Sequence, residues 1–216
     1  PFRFKDKATR INVRDDDLRK FLAQNESTYD LILLNLPNPA SLILNRYATR
    51  ECFTLVQSRL SPSGMTSIRI PGGENYLGSE LEMIGASTLA TLESVFPHTT
   101  LKPGGETWLM ASHQAFIERP GRMRREFSRI PGASDLFPVQ GIHSLFRRDR
   151  VDFQMGAYRD VLAKHEARNR SGILINTDRR PACLFDALLL VLRQAGVSNP
   201  RAWADAARAC ALKIFI

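Results

Sequence analysis

The sequence predicts an α/β fold in which helices cover a mostly parallel sheet. Short apolar runs alternate with helical periodicity along the first half of the 216-residue chain, and this alternation favours a parallel sheet with helices on both faces. Two strand-like runs on either side of a Pro-Gly-Gly turn then predict a closing antiparallel hairpin. Hydrophobic residues make up 44% of the chain, which is enough to build a packed core.

The first three elements follow from their apolar patterns. Residues 10–13 (RINV) predict a short strand, and residues 17–24 predict a helix whose apolar side chains recur at three- and four-residue spacing. Residues 29–34 (YDLILL) form an almost continuous apolar run. Such a run is typical of a strand that is buried on both faces of a parallel sheet.

The next elements are bounded by proline and glycine. Residues 50–60 predict a helix that ends at Ser-Pro-Ser-Gly, and residues 65–70 predict a strand that ends at Pro-Gly-Gly. Residues 79–95 predict a longer helix, and residues 99–102 and 107–111 form the hairpin. This hairpin after the alternation is typical of a methyltransferase-like Rossmann fold.

The composition changes after residue 116, which predicts two parts. Residues 1–116 form the α/β domain, and residues 117–216 form a basic, loop-rich and helical extension that packs on it. Helices are predicted at 157–168 and 184–195. The loop-rich stretch before them carries the basic residues Arg119, Arg122, Arg124, Arg125, Arg129, Arg147, Arg148 and Arg150.

The formal charge of +8 leaves several partners open. A basic balance is compatible with nucleic acid, an anionic membrane surface, an anionic substrate or a solvated basic surface. The aromatic residues of the basic stretch, Phe127, Phe137 and Phe146, form no obvious stacking platform. Nucleic acid is therefore not an expected partner.

The cysteines indicate a reducing compartment, and we expect a cytoplasmic location. Cys52, Cys183 and Cys210 are far apart in apolar surroundings, which predicts buried thiols. Neither the cysteines nor the histidines have metal-ligand spacing, so no metal site is expected. The longest apolar stretch, residues 182–192, contains Asp186 and is too short to cross a bilayer.

Two strand ends could hold the chemistry, because ligands of open α/β sheets bind beyond the carboxyl ends of the strands. The run 29–34 is followed by Asn-Leu-Pro-Asn-Pro, which is either a corner facing a cleft or a proline-rich turn. Asp17 follows the strand predicted at 10–13. Its carboxylate either contacts a ligand or caps the helix at 17–24.

Five motifs in this order resemble the spermidine/spermine synthase (polyamine aminopropyltransferase) family over roughly residues 10–112. They are DDDLRKFL, YDLILLNLPNP, LNRYATRECF, SPSGMTSIRIPGGENYL and FPHTTLKPGGETWLMAS. INTDRRPACLFDALLL resembles the branch in which such a domain is fused to membrane-spanning segments. The resemblance implies a Rossmann sheet without its first strands, since no G-x-G-x-x-G loop occurs here.

The resemblance also implies roles at the nucleoside site. Asp17 lies at the family's adenine-contacting acid, and Leu18 and Pro37 adjoin the nucleoside. Asn35 and Asn38 occupy the two aspartate positions of the family's D-x-x-D-P loop, of which the first is the proposed general base and the second holds the amine. The implied co-substrate is decarboxylated S-adenosylmethionine or S-adenosylmethionine, without a tightly bound cofactor.

Glu74 and Lys102 are the substrate-binding positions that the resemblance implies. Glu74 lies near the family's Q-x-E-S loop, and Lys102 falls where a tyrosine lines the polyamine channel. The implied partners are a nucleoside and a polyamine, together with a second copy of the chain and fused membrane-spanning segments. The fused form would place the chain on the cytoplasmic side of a membrane protein.

The substitutions at these positions argue against ordinary putrescine aminopropylation. An attacking amine must lose a proton, but asparagine accepts none at neutral pH and carries no charge. Lys102 would repel an ammonium substrate. Three hypotheses therefore stay open: an aminopropyltransferase-like enzyme, a non-catalytic regulatory or assembly domain of a membrane protein, and an S-adenosylmethionine-dependent methyltransferase.

Overall fold

The computed structural model describes residues 12–117, 119–168 and 174–202, whose strands form one four-stranded sheet in the order β1-β2-β4-β3. β1 pairs with β2 in parallel, and β4 is antiparallel to both β2 and β3. β1, β2 and β3 thus share one direction. The α/β prediction with a closing hairpin is confirmed, and the sheet is compatible with a methyltransferase-like Rossmann fold. The strands are Tyr29–Leu34, Leu60–Pro71, His98–Lys102 and Glu106–Ser112.

The prediction that β1 is buried on both faces is wrong. β1 forms an edge of the described sheet. Ile32 and Leu34 are buried, whereas Leu31 and Leu33 are 50% and 56% exposed. Alternate residues of a strand point to opposite faces, and among the described residues the helices cover only the face of β1 that carries Ile32 and Leu34. Helices on both faces are therefore not observed at this strand.

β2 begins earlier than predicted because the Ser-Pro-Ser-Gly segment bulges out of the ladder. Tyr29 of β1 pairs with Leu60 of β2, and Leu31 pairs with Met65, so β2 has additional residues between these two pairs. A side chain at Gly64 would lie 2.8 Å from the carbonyl oxygen of Tyr29, so glycine permits this close approach.

The helices predicted in the first half are confirmed to within two residues at their ends. The strand predicted at 10–13 is not confirmed. Asn12 and Val13 lie outside any strand, and residues 10 and 11 lie outside the described residues. A short helix and a 3₁₀ turn, Arg46–Ala48, were not predicted. The helices are α1 (Leu18–Gln24), α2 (Leu42–Asn45), α3 (Arg50–Ser58) and α4 (Ser79–Glu93).

The basic stretch is more helical than predicted. It contains short helices, and α8 begins at Arg148 rather than at 157. Ion pairs such as Arg148–Asp152 support the first turns of α8, where apolar periodicity is weak. Among the described residues, no helix is both long and apolar enough to cross a membrane. The helices are α5 (Pro120–Ser128), α6 (Ala133–Leu136), α7 (Ile142–Leu145), α8 (Arg148–Glu166) and α9 (Ala182–Gln194).

Helix α4 connects the sheet to the later helices. It contacts β2, β3 and β4, and α8 and α9 pack against it. Tyr158 of α8 is fully buried and lies over Gly85 of α4, where a side chain would come within 2.1 Å of the tyrosine ring. One core cluster includes residues from both predicted parts. The boundary between 1–116 and 117–216 stays a prediction.

Candidate functional site

A cleft lies at the carboxyl ends of β1 and β2, where open α/β sheets bind their ligands. The loop after β1, the end of β2 and the turn before β4 enclose a volume of about 250 Å³. The described residues that line it are Leu36, Asn38, Arg69, Ile70, Pro71, Gly105 and Glu106.

Asn38 is the asparagine of the loop after β1 that lines this cleft. Its side-chain Oδ1 is buried and has no hydrogen-bond partner among the described residues. Its backbone carbonyl accepts from the N–H of Ala40 at 2.7 Å, which closes a three-residue turn centred on Pro39. Since buried polar atoms are almost always paired, the unpaired oxygen singles out Asn38 among the residues of this lining.

Arg69 and Glu106, which also line the cleft, form an ion pair. Arg69 also donates to the carbonyl oxygen of Leu36 at 3.2 Å, which joins β2 to the loop after β1. Neither residue was predicted from the sequence. The sequence feature that could have identified Arg69 is its place as the single arginine of the strand Leu60–Pro71, because a charged side chain in a largely apolar strand needs a partner.

Gln154 of α8 holds two of the loops around the cleft, although it is far away in sequence. Its amide donates to the carbonyl oxygens of Gly73 at 2.5 Å and Gly104 at 3.2 Å, and it accepts from Thr107 Oγ1 at 2.9 Å. The residue is only 1% exposed. A side chain at Gly72 would lie 2.1 Å from Thr107 Oγ1, so the two loops pack too closely for any residue with a Cβ.

Asp17 caps α1, which is one of the two roles that its position in the sequence left open. Its Oδ1 accepts from the N–H of Lys20 at 3.0 Å, and its Oδ2 accepts from Arg46 at 2.9 Å and from the hydroxyl of Tyr47 at 2.6 Å. The hydrogen bond from Tyr47 is the main reason why the pKa of Asp17 is lowered, and the same bond raises the pKa of Tyr47. The Asp17 carboxylate thus already accepts three hydrogen bonds from within the chain.

The cleft lining includes only one of the predicted site residues, Asn38. Leu18 is half-buried against the core, and Asn35 and Pro37 are exposed. Glu74 pairs with Arg150 at 3.0 Å, and Lys102 ends β3, half-buried. Among the described residues, these positions do not form one cluster around the cleft.

The described thiols are inert packing groups. Cys52 and Cys183 are fully buried, and burial raises the pKa of Cys52 to about 12 and also raises the pKa of Cys183. Cys210 lies outside the described residues. Across the described ranges, no three His, Cys, Asp or Glu side chains are grouped as metal ligands would be.

Part of the chain is similar to a protein of known activity. No protein-family model matches the chain. A polyamine aminopropyltransferase from Oceanobacillus iheyensis is 33% identical over 60 residues, which are 28% of this chain and 12% of that protein. The chain thus aligns with a small part of its relative. The match supports a distant, spermidine-synthase-like relationship for part of this chain.

Proposed function

We propose that this chain is a spermidine-synthase-like transferase domain that acts on an amine with an S-adenosyl-type nucleoside. The partial match to a polyamine aminopropyltransferase supports the ancestry. The observation that carries the proposal is a cleft at the carboxyl ends of β1 and β2, whose lining residue Asn38 has a buried, unpartnered Oδ1.

The cleft is suited to the amine rather than to the nucleoside. Its volume of about 250 Å³ is below the roughly 300–1,000 Å³ of pockets that enclose drug-sized ligands. A primary ammonium group has three N–H donors, as a lysine does. We expect Asn38 Oδ1 to accept from one of them and the Glu106 carboxylate, which Arg69 already holds, to accept from another. We expect the nucleoside to lie outside this cleft, beyond the exposed Asn35.

The proposed reaction is a displacement at carbon. The amine nitrogen forms a bond to the methylene carbon, the carbon–sulfur bond breaks, and its electron pair stays on sulfur to give a thioether. One proton leaves the amine. Neither Asn35 nor Asn38 can accept it, and Glu106 is the one carboxylate among the described residues of the cleft. Since Arg69 holds that carboxylate, we expect slow transfer.

The test uses the full chain with putrescine, methylthioadenosine and decarboxylated S-adenosylmethionine. Calorimetry measures binding, and chromatography measures the aminopropylated product. Asn38→Asp adds a negative charge in the cleft and is expected to strengthen putrescine binding about tenfold, since hydrogen bonds to charged groups contribute about 1.5–3 kcal/mol. Asn12→Asp, which makes the same change at an exposed asparagine outside the cleft lining, is the control. Absence of both nucleoside and amine binding would contradict the proposal.

A non-catalytic synthase-like domain is the second candidate. It is favoured because the loop after β1 offers two neutral amides and because Asp17 is already bonded to Lys20, Arg46 and Tyr47. Nucleoside binding without amine binding or product would select it. Transfer of a methyl group from S-adenosylmethionine in the same assay would instead select a methyltransferase. A homodimer and a fusion to membrane-spanning segments remain part of the proposal.

A further inference from the structure

The charged side chains that line the cleft at the ends of β1 and β2 balance each other. Arg69 and Glu106 are the ionised residues among the described lining, and they form an ion pair. A diamine such as putrescine carries two positive charges at neutral pH, because the pKa of a primary alkylamine is close to that of lysine. The lining offers such a ligand one carboxylate, and Arg69 opposes its second ammonium group.

Arg69 keeps N–H donors for a ligand. It donates to the Glu106 carboxylate and to the carbonyl oxygen of Leu36, and a guanidinium group has more N–H donors than these two contacts use. The Arg69 and Glu106 side chains are 29% and 63% exposed. A ligand can therefore approach both members of the ion pair from solvent.

A second cation lies on the same face of the sheet. Arg69 of β2 pairs with Trp108 of β4, and Trp108 pairs in turn with Lys102 of β3. Side chains of directly opposite residues on neighbouring strands project to one face, so Lys102 lies two strands away from Arg69 on that face. Within the described residues Lys102 forms no ion pair. Its charge therefore favours a ligand that brings an anionic group to this face.

We propose that the amine bound by this cleft also carries a carboxylate, so that the ligand belongs to the amino-acid class rather than to the diamines. This inference rests on the proposed amine-binding role of the cleft. A bound ammonium group draws on Glu106 and leaves Arg69 without its partner, and a partly buried charge without a partner is costly. A ligand with both charges replaces the internal ion pair by two, ammonium with Glu106 and carboxylate with Arg69.

Calorimetry with the full chain compares ligands that share one carbon-chain length. The probes are putrescine, butylamine, butyrate and two isomers that carry both charges, 2-aminobutyrate and 4-aminobutyrate. At least one aminobutyrate isomer is expected to bind about tenfold more tightly than putrescine, since hydrogen bonds to charged groups are the strong ones. Butylamine and butyrate, which each carry a single charge, should both bind more weakly than that isomer.

Arg69→Gln should reverse this preference, because it removes the partner of the ligand carboxylate and releases Glu106 for an ammonium group. The aminobutyrate is expected to lose about tenfold in affinity, while putrescine binds at least as tightly as before. Arg50→Gln is the matched control, because it removes the same charge from an exposed position of α3 outside the cleft lining. The ratio of the two affinities is measured within each variant, so a loss of stability in Arg69→Gln does not imitate the effect.

Two results would overturn this inference and leave the proposed function standing. The first is putrescine binding as tightly as, or more tightly than, both aminobutyrate isomers in the parent chain. The second is an unchanged preference in Arg69→Gln. Failure of the proposed function gives a different result, in which neither methylthioadenosine nor any of the amines binds, and this inference then fails with it.

Discussion

Arg19 and Asp178 form a two-point ion pair although 159 positions separate them. The two guanidinium nitrogens donate to the two carboxylate oxygens at 2.8 and 2.7 Å. Thr49 also donates to Asp178 at 2.8 Å. The pair fastens the segment before α9 to α1 and to the start of α3, next to the Asp17 cap.

The Asp178 carboxylate should make a pH-dependent contribution to the free energy of unfolding. The Arg19 hydrogen bonds lower the pKa of Asp178 more than burial raises it. A lowered folded-state pKa stabilises the fold above the unfolded pKa, and this stabilisation is lost as pH falls through the folded value. Asp178→Asn should therefore cost roughly 1 kcal/mol at pH 7, a figure reduced for solvent screening, and much less in acid below both pKa values. Urea unfolding at both pH values measures the difference.

Asp16→Asn is the control for this prediction, because Asp16 is an exposed acidic residue three positions before Arg19. It should change the free energy of unfolding little at either pH. An Asp178→Asn cost that is the same in acid as at neutral pH would contradict the ion-pair account.

The two roles of Asp17 can be separated by two substitutions. Asp17→Ala removes the cap and the contacts with Arg46 and Tyr47, and loss of a cap costs about 1 kcal/mol. Asp17→Asn should cost less, because asparagine caps a helix as well as aspartate does. Urea unfolding compares the two variants. Equal costs would mean that the cap contributes nothing.

The hydroxyl of Tyr47 should also regulate access to Asp17. Tyr47→Phe removes the 2.6 Å hydrogen bond and leaves the carboxylate with fewer donors. If Asp17 contacts the nucleoside, methylthioadenosine should bind this variant more tightly than the parent chain. Tyr76→Phe changes an exposed tyrosine and should leave binding unchanged. Weaker binding to Tyr47→Phe would argue against a nucleoside role for Asp17.

Gln154 should support both stability and the cleft. Gln154→Leu keeps much of the volume but leaves the carbonyls of Gly73 and Gly104 without this donor, which should cost about 2 kcal/mol. The two loops would loosen, so putrescine binding should weaken as well. Gln194→Leu, at an exposed helical position, is the control for thermal unfolding and calorimetry. Unchanged stability in Gln154→Leu would show that water replaces its hydrogen bonds.

Two glycines test the packing of α8 on α4. Gly85→Ala places a methyl group 2.1 Å from the ring of Tyr158, and such overpacking should cost about 1–3 kcal/mol. Gly156→Ala, inside α8, meets nothing within 4 Å. It should stabilise the chain by about 0.5–1 kcal/mol, because alanine is the better helix former. A harmless Gly85→Ala would mean that the two helices can separate.

The sequence by itself determined the elements whose cause is local. Alternating apolar patterns, helix caps such as Asp17 and the Pro-Gly-Gly turns depend on neighbours within a few residues. They were sufficient to predict the α/β class, the closing hairpin and the loop after β1 as the place to look for a cleft. The basic stretch and the start of α8 were missed because their helices are short or solvent-facing and carry little apolar periodicity.

Only the tertiary structure decided which residues face the cleft. Asn35 and Asn38 belong to one short loop, yet only Asn38 lines the cavity. Arg69 meets Glu106, and Gln154 reaches the loops at 73 and 104, through contacts that chain folding creates between distant segments. The edge position of β1 likewise depends on which strands pair with it. Local patterns contain no information about such neighbours, because burial and pairing are properties of the packed chain.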